Sequence, residues 1–282
     1  RRMEAGRLLT PALAEVPPPP VGPERIRVGE VVADVSALHA DPGNAGAAFQ
    51  VASQFNLLEM IGPEITPEQG IARYAFDRTQ GPACATACAA GTIWRNYFVP
   101  LGGGIGQTVD RQLDMLADLG RALGNADGAH WVMRNGYALP RPGGLKAIAA
   151  RIAKADQRAL ARLLGIGVQR GTQVTLPGAS HLVHQVYASA LPIAYADAPA
   201  ADWEPFARLV LHAAYQATFA AALALGAKRL FLTRLGGGAF GNPPDWITDA
   251  IAGAIHAYRA APLDVRIVSH AQANPDNQRL ML

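Results

Sequence analysis

Near its C-terminus the chain reads Gly236-Gly237-Gly238-Ala239-Phe240-Gly241-Asn242. Glycines at this density let backbone N–H groups approach an anion with no Cβ in the way. The apolar run Arg229 to Leu235 before the turn has the composition of a buried strand. After it, Ile247, Ile251, Ile255 and Tyr258 fall at helical spacing. Strand, glycine turn and helix start together make an anion site, because the helix dipole favours negative charge at its N-terminus. Each backbone hydrogen bond to a charged phosphate contributes roughly 1.5–3 kcal/mol, so three or four hold a diphosphate. Phe240, inside the turn, offers a ring to lie against a ribose or base.

Gly236, Gly238 and Gly241 also satisfy GxGxxG, the dinucleotide fingerprint of nicotinamide-dependent oxidoreductases. Position argues against that reading. Only residues 242–282 follow, too few for a doubly wound unit, and Ala261 stands where an acidic residue belongs. The carboxylates placed for chemistry lie elsewhere. Glu59 follows Gln54 and Asn56 at the C-terminal end of an apolar strand, where open α/β sheets place their ligands. Asp77 stands in the polar loop Asp77-Arg78-Thr79-Gln80-Gly81-Pro82, which opens onto a small-residue helix. Asp110 follows a second glycine cluster, Gly102 to Gly106, in the first turn of an expected helix.

The elements that must position these residues alternate along the chain. Strands are expected at Val28 to Leu38, Phe49 to Phe55, Thr92 to Val99, Val168 to Leu176, Leu182 to Tyr195, Arg229 to Leu235 and Leu263 to Val268. Helices are expected from Pro67, behind the capping box Thr66-Pro67-Glu68-Gln69, to Phe76, and over Ala83 to Ala90. Further helices are expected over Thr108 to Leu123, Leu145 to Leu164 and Trp203 to Leu225. Asn135-Gly136 signals a hairpin. Residues 1–25, with Pro17 to Pro20, read as an arm or linker, and Ala273 to Leu282 as a polar tail.

Composition sets limits on function. At 282 residues and 50% hydrophobic, the chain can bury a sizeable core. Its net charge of +3 makes no global case for nucleic acid, although the pI is about 9.0. Lys154, Arg158 and Arg162 form a basic stripe that reads as a solvated face. Cys84 and Cys88, four apart, supply too few ligands for zinc and read as small buried thiols. His181 and His184 point to opposite faces of a strand, which excludes a two-histidine metal site. No cofactor and no metal are expected. No apolar run is long enough to span a bilayer. A cytoplasmic location is expected, or delivery into a target cell's cytosol if a further N-terminal segment exists.

Several of these segments resemble a known family. LGGGAFGN after a strand and before a helix is similar to the diphosphate loop of macrodomains, above all the GAFG-type loop of poly(ADP-ribose) glycohydrolases. FQVASQFNLLEM, Phe49 to Met60, resembles the macrodomain strand that ends in a ribose-contacting Asn, which is Asn56 here. RTQGPACA, Arg78 to Ala85, and GQTVDRQLDMLADLG, Gly106 to Gly120, are similar to a divergent bacterial branch of ADP-ribosyl hydrolases. The GGG…QEE signature of the glycohydrolases, with its paired glutamates, is absent, so the catalytic acid does not transfer.

The resemblance implies a three-layer α/β/α macrodomain-like sandwich with a mixed, mostly parallel sheet, one domain over residues 26–282. It implies a hydrolase that removes ADP-ribose from a modified macromolecule by cleaving the distal-ribose glycosidic bond, through an oxocarbenium-like transition state. Gly236, Gly237, Gly238, Ala239, Phe240, Gly241 and Asn242 would hold the diphosphate. Asn56, Gln80 and Gly81 would contact the ligand, with Asn56, Gln80 and Phe240 orienting the distal ribose. Asp77, then Glu59, then Asp110 would supply the carboxylate, and Asp34 or Asp41 would receive the adenine amino group. A non-catalytic ADP-ribose-binding module is the alternative.

Overall fold

The central sheet splits, and the split makes the cleft. In the computed structural model, which describes residues 2–281, the elements follow in chain order. The first half holds β1 (Arg7–Leu9), β2 (Arg27–Val32), α1 (Val35–Ala40), β3 (Ala48–Ala52), α2 (Gln80–Ala87) and α3 (Ala89–Tyr97). A small hairpin of β4 (Pro100–Leu101) and β5 (Gly104–Ile105), α4 (Ala117–Ala122), and a second hairpin of β6 (Trp131–Arg134) and β7 (Tyr137–Pro140) come next. The rest is α5 (Gly144–Ile152), α6 (Gln157–Ala161), β8 (Gly167–Gln173), β9 (Leu182–Ala188), α7 (Ala200–Ala224), β10 (Arg229–Leu232), α8 (Pro244–Ala257) and β11 (Asp264–Ser269).

Seven strands form one sheet in the order β1-β8-β9-β3-β10-β11-β2. The pairs from β9 to β2 are parallel, and β8 and β1 are added antiparallel at one edge. This is the mixed, mostly parallel α/β sheet expected from the sequence. Alternation sorts the side chains into two layers. Ala48, Leu230, Leu232, Val265 and Ile267 pack with the apolar faces of α7 and α8. Phe49, Val51, Phe231 and Tyr187 face the other way, against Val35 of α1 and Cys84 and Cys88 around α2. Phe49 stacks on Phe231 at 4.5 Å and on His39 at 3.8 Å. Both cysteines are buried free thiols. No described helix is long and apolar enough to cross a membrane.

Strand β10 pairs with β3 only at Leu230↔Ala48 and Phe231↔Phe49. Beyond that point the strands part, and two glutamines satisfy the backbone groups this exposes. Gln50 Oε1 accepts from the Thr233 N–H at 3.2 Å. Gln80 Oε1 accepts from the Ala52 N–H at 2.9 Å, and its Nε2 donates to the Gln50 carbonyl at 2.8 Å. A parallel strand cannot leave its edge bare in a protein interior, so side-chain amides take the partner's place.

Several expected boundaries move. Part of the expected arm is β1, which pairs with β8, and Leu13 beyond it is buried. The segment expected as strand to Leu38 turns into α1 at Asp34, whose carboxylate caps Ser36 N–H at 2.7 Å. Residues 92–99 are mostly helix, not strand. The inward face of α3 carries Thr92, Arg95 and Asn96, so polar burial hides the helical period. Residues 67–76 form two 3₁₀ turns broken at Gly70, whose φ is +79°. The helix expected from Thr108 begins only at Ala117, which leaves Asp110 on an exposed loop. The expected helix 145–164 is two helices, because Asp156 caps α6 anew. The expected polar tail packs as a 3₁₀ turn, Pro275–Leu280, burying Asn277 and Leu280. Residues 1 and 282, in the expected arm and tail, lie outside the described residues.

Candidate functional site

A cleft of two adjoining lobes runs across the C-terminal ends of the parallel strands. One lobe, about 840 Å³, is lined by Asp34 and Ser36 on one side and by His270, Gln272 and Asn274 on the other. The other, about 570 Å³, is lined by the glycine loop, residues 52–54, Glu59, Met60, Tyr137 and Tyr195. Asp77, Arg78, Gln80, Thr233 and Arg234 line both and form the waist between them.

The glycine loop closes on itself through three of its N–H groups. Gly237 donates to the Arg234 carbonyl, Gly241 to that of Gly238 and Asn242 to that of Gly236. Gly236 and Gly241 take φ of +74° and +71°, a conformation open to glycine at little cost. The four loop residues that line the cleft are Gly236, Gly238, Ala239 and Phe240. Their N–H groups are the ones left without a hydrogen-bond partner among the described residues. The N–H groups of Gly237, Gly241 and Asn242, residues expected as ligand contacts, are engaged in shaping the loop. The Asn242 side chain is buried and donates to the Leu191 carbonyl at 2.8 Å, and the Ala194 N–H donates to the Phe240 carbonyl at 3.0 Å. Residues 190–196, expected as the end of a strand from Leu182 to Tyr195, leave the sheet after Ala188 and hold the loop in place. Phe240 packs on Tyr137 and Tyr195 at 5.3 and 5.7 Å between ring centroids.

Asp77 stands at the waist, half-buried, with Oδ1 accepting from Thr79 N–H at 2.8 Å and Thr79 Oγ1 at 2.7 Å. That turn sets up the N-terminus of α2, where the Gln80 and Gly81 N–H groups have no partner among the described residues. Gly81 is there because a Cβ would lie 2.1 Å from the Ala52 carbonyl oxygen. Gln80 lines the cleft, yet its amide is committed to the backbone of β3.

Glu59 borders the smaller lobe, but its carboxylate is turned into the protein. Both its oxygens accept from Arg95 Nη2 at 2.8 Å, and both side chains are fully buried. Arg95 also donates to the Leu57 carbonyl and lies 3.8 Å from the centroid of the Tyr187 ring. Burial pushes the Glu59 carboxyl up, to about 7, against the pull of Arg95. The same carboxylate holds Arg95 above its ordinary value, although burial works the other way. Asn56 is buried outside the cleft lining. Its Nδ2 donates to Gln112 at 2.8 Å and its Oδ1 accepts from Leu58 N–H at 3.1 Å, so its amide, expected at the ribose, is engaged within the protein. Of the two expected adenine partners, Asp34 lines the larger lobe, whereas Asp41 caps a 3₁₀ turn away from it.

Sequence reasoning passed over Arg234, Tyr137 and Tyr195. Arg234 was legible by position, since it lies between strand β10 and the glycine loop. Its guanidinium is held by Asn277, Thr248 and the Pro244 carbonyl at 2.8–3.1 Å, with Asp276 at 3.4 Å. Tyr137 donates to the Met60 carbonyl at 2.8 Å.

No family model and no curated protein sequence matches this chain. Solved structures do. Poly(ADP-ribose) glycohydrolase from Deinococcus radiodurans, in complex with ADP-ribose, matches with a TM-score of 0.53 at 11% identity, over 98% of this chain and 95% of that one. A point mutant of the same enzyme, also with ADP-ribose, matches with a TM-score of 0.51 at 11% identity, over 97% and 90%. The chain has the fold of a bacterial poly(ADP-ribose) glycohydrolase. Within this glycohydrolase fold, the cleft occupies the place where parallel α/β sheets bind ligands, beyond the carboxyl ends of the strands.

Proposed function

We propose that the chain is an ADP-ribosyl hydrolase, cleaving an N- or O-glycosidic bond at the distal ribose of ADP-ribose attached to a macromolecule. One observation carries this reading: four backbone N–H groups without partners, on the four loop residues that face the cleft. Together they are a ready-made diphosphate cradle. The larger lobe, with Asp34, takes the adenosine, and the smaller takes the distal ribose. The glycohydrolase that shares the fold was crystallised with ADP-ribose, which supports the same ligand here.

Asp77 is the carboxylate proposed to act. It stands between the lobes and retains Oδ2 beyond its turn contacts to Thr79. It activates water or protonates the leaving oxygen or nitrogen at the anomeric carbon as oxocarbenium character develops. Glu59, its carboxylate turned inward to Arg95, holds up the loop that carries Met60, and Gln80 fixes α2 and therefore Asp77 against β3. Phe240, backed by Tyr137 and Tyr195, gives the ribose an apolar face. The binding-module reading draws support from the same burial of Glu59, since it leaves one accessible carboxylate where glycosidases use two.

Incubation with mono-ADP-ribosylated protein, free ADP-ribose and NAD in parallel separates the readings. Release of ADP-ribose from the protein is expected. Tight ADP-ribose binding without release from any linkage would establish the module instead.

A further inference from the structure

The outer rim of the smaller lobe carries side chains that the ADP-ribose reading does not use. Phe76 is 88% exposed and Ile61 57% exposed, and both line the cleft mouth beyond the glycine loop. Arg78, also exposed, reaches this mouth as well as the waist. Arg73 is exposed and borders a small recess shared with Ile61 and Asp77. Arg73 and Phe76 belong to one 3₁₀ turn, Ile71–Phe76, in which residues three apart project on the same side. Neither arginine has an ion-pair partner among the described residues.

An aromatic face almost wholly in water, with arginines three positions before it and two after it in the chain, fits a nucleotide. The base stacks on the ring and the phosphate meets the arginines, as in sites for single-stranded nucleic acid. An acidic side chain on a protein would use the arginines and leave Phe76 in water. The rim lies on the distal-ribose side of the loop, where whatever carries the ADP-ribose must emerge. Resting on the function proposed above, we infer that the rim is a one-nucleotide acceptor subsite and that the substrate is ADP-ribose attached to a single-stranded nucleic acid. The modest net charge agrees with a subsite of this size, which needs two cations and no extended basic surface.

The test compares wild type with Phe76→Ala and Arg73→Glu on three probes: free ADP-ribose, an ADP-ribosylated single-stranded oligonucleotide and an ADP-ribosylated peptide. Both positions are exposed, so both variants fold. Free ADP-ribose should bind all three proteins alike. On the oligonucleotide, Phe76→Ala should lower affinity about tenfold, the loss of one stacked base. Arg73→Glu should lower it further at low salt and less at high salt. Equal losses on peptide and oligonucleotide, or no loss on the oligonucleotide, would overturn the inference while leaving the hydrolase reading intact. Failure of wild type to bind free ADP-ribose would overturn both.

Discussion

Asp77 and Glu59 are both carboxylates near one cleft, and burial separates their roles. Asp77→Asn keeps the turn to Thr79, because an amide oxygen still accepts, but removes proton exchange. Its kcat should fall by about 10²–10⁴ with ADP-ribose affinity little changed, as read from turnover and titration together. Glu59→Gln should reduce turnover less, and its effect should appear in stability instead. In the fold the Glu59 carboxyl sits above its ordinary 4.5, at about 7. Its contribution to stability is therefore full below about 4.5 and is lost as pH rises through about 7. Denaturant midpoints measured between those values should show wild type losing ground to Glu59→Gln as pH rises, and wild type holding level or gaining on the variant over that range would contradict the assignment. Sequence singled out both residues, but their division of labour was illegible. It depends on Arg95, a cation on a segment that reads as a strand and folds as a helix.

At the scale of elements, the glycine loop was legible because glycine content, strand and helix start all pointed to one anion site. Which of its N–H groups are free was not, since that depends on the loop's internal hydrogen bonds and on residues 190–196. Asn56 shows the opposite failure. The strand was expected to run to Phe55, but it ends at Ala52, and the chain, with Leu57 at a φ of +65°, carries Asn56 inward. The start of α2 gives a sharp check on this level. Gly81→Ala forces a Cβ against the Ala52 carbonyl, so it should cost roughly 1–3 kcal/mol in chemical denaturation, as overpacking does. It should also weaken turnover, because Asp77 moves with α2. A Gly81→Ala protein with unchanged stability would show that α2 does not bear on β3 as described.

At the scale of the molecule, the cleft exists because β3 and β10 part after two paired residues and glutamine side chains close the gap. Alternating strands and helices made the mixed sheet legible, whereas the edge strand β1 hid in a proline-containing segment that reads as an arm. The basic stripe lies on the α5–α6 side, exposed at Lys154, Arg158 and Arg162 and outside the cleft lining. Lys154→Glu with Arg158→Glu should leave turnover of a small ADP-ribosylated peptide unchanged, and a large loss would place that face at the site. The central claim is that the cleft holds a diphosphate on the loop's free N–H groups. Gly238 tests it most directly, because a Cβ there meets nothing within 4 Å, so a side chain enters the cleft without disturbing the fold. Calorimetric titration of ADP-ribose should show saturable binding to wild type. It should show none to Gly238→Glu, where a carboxylate occupies the phosphate's place. Equal affinity for the two proteins, with the variant folded, would contradict the account.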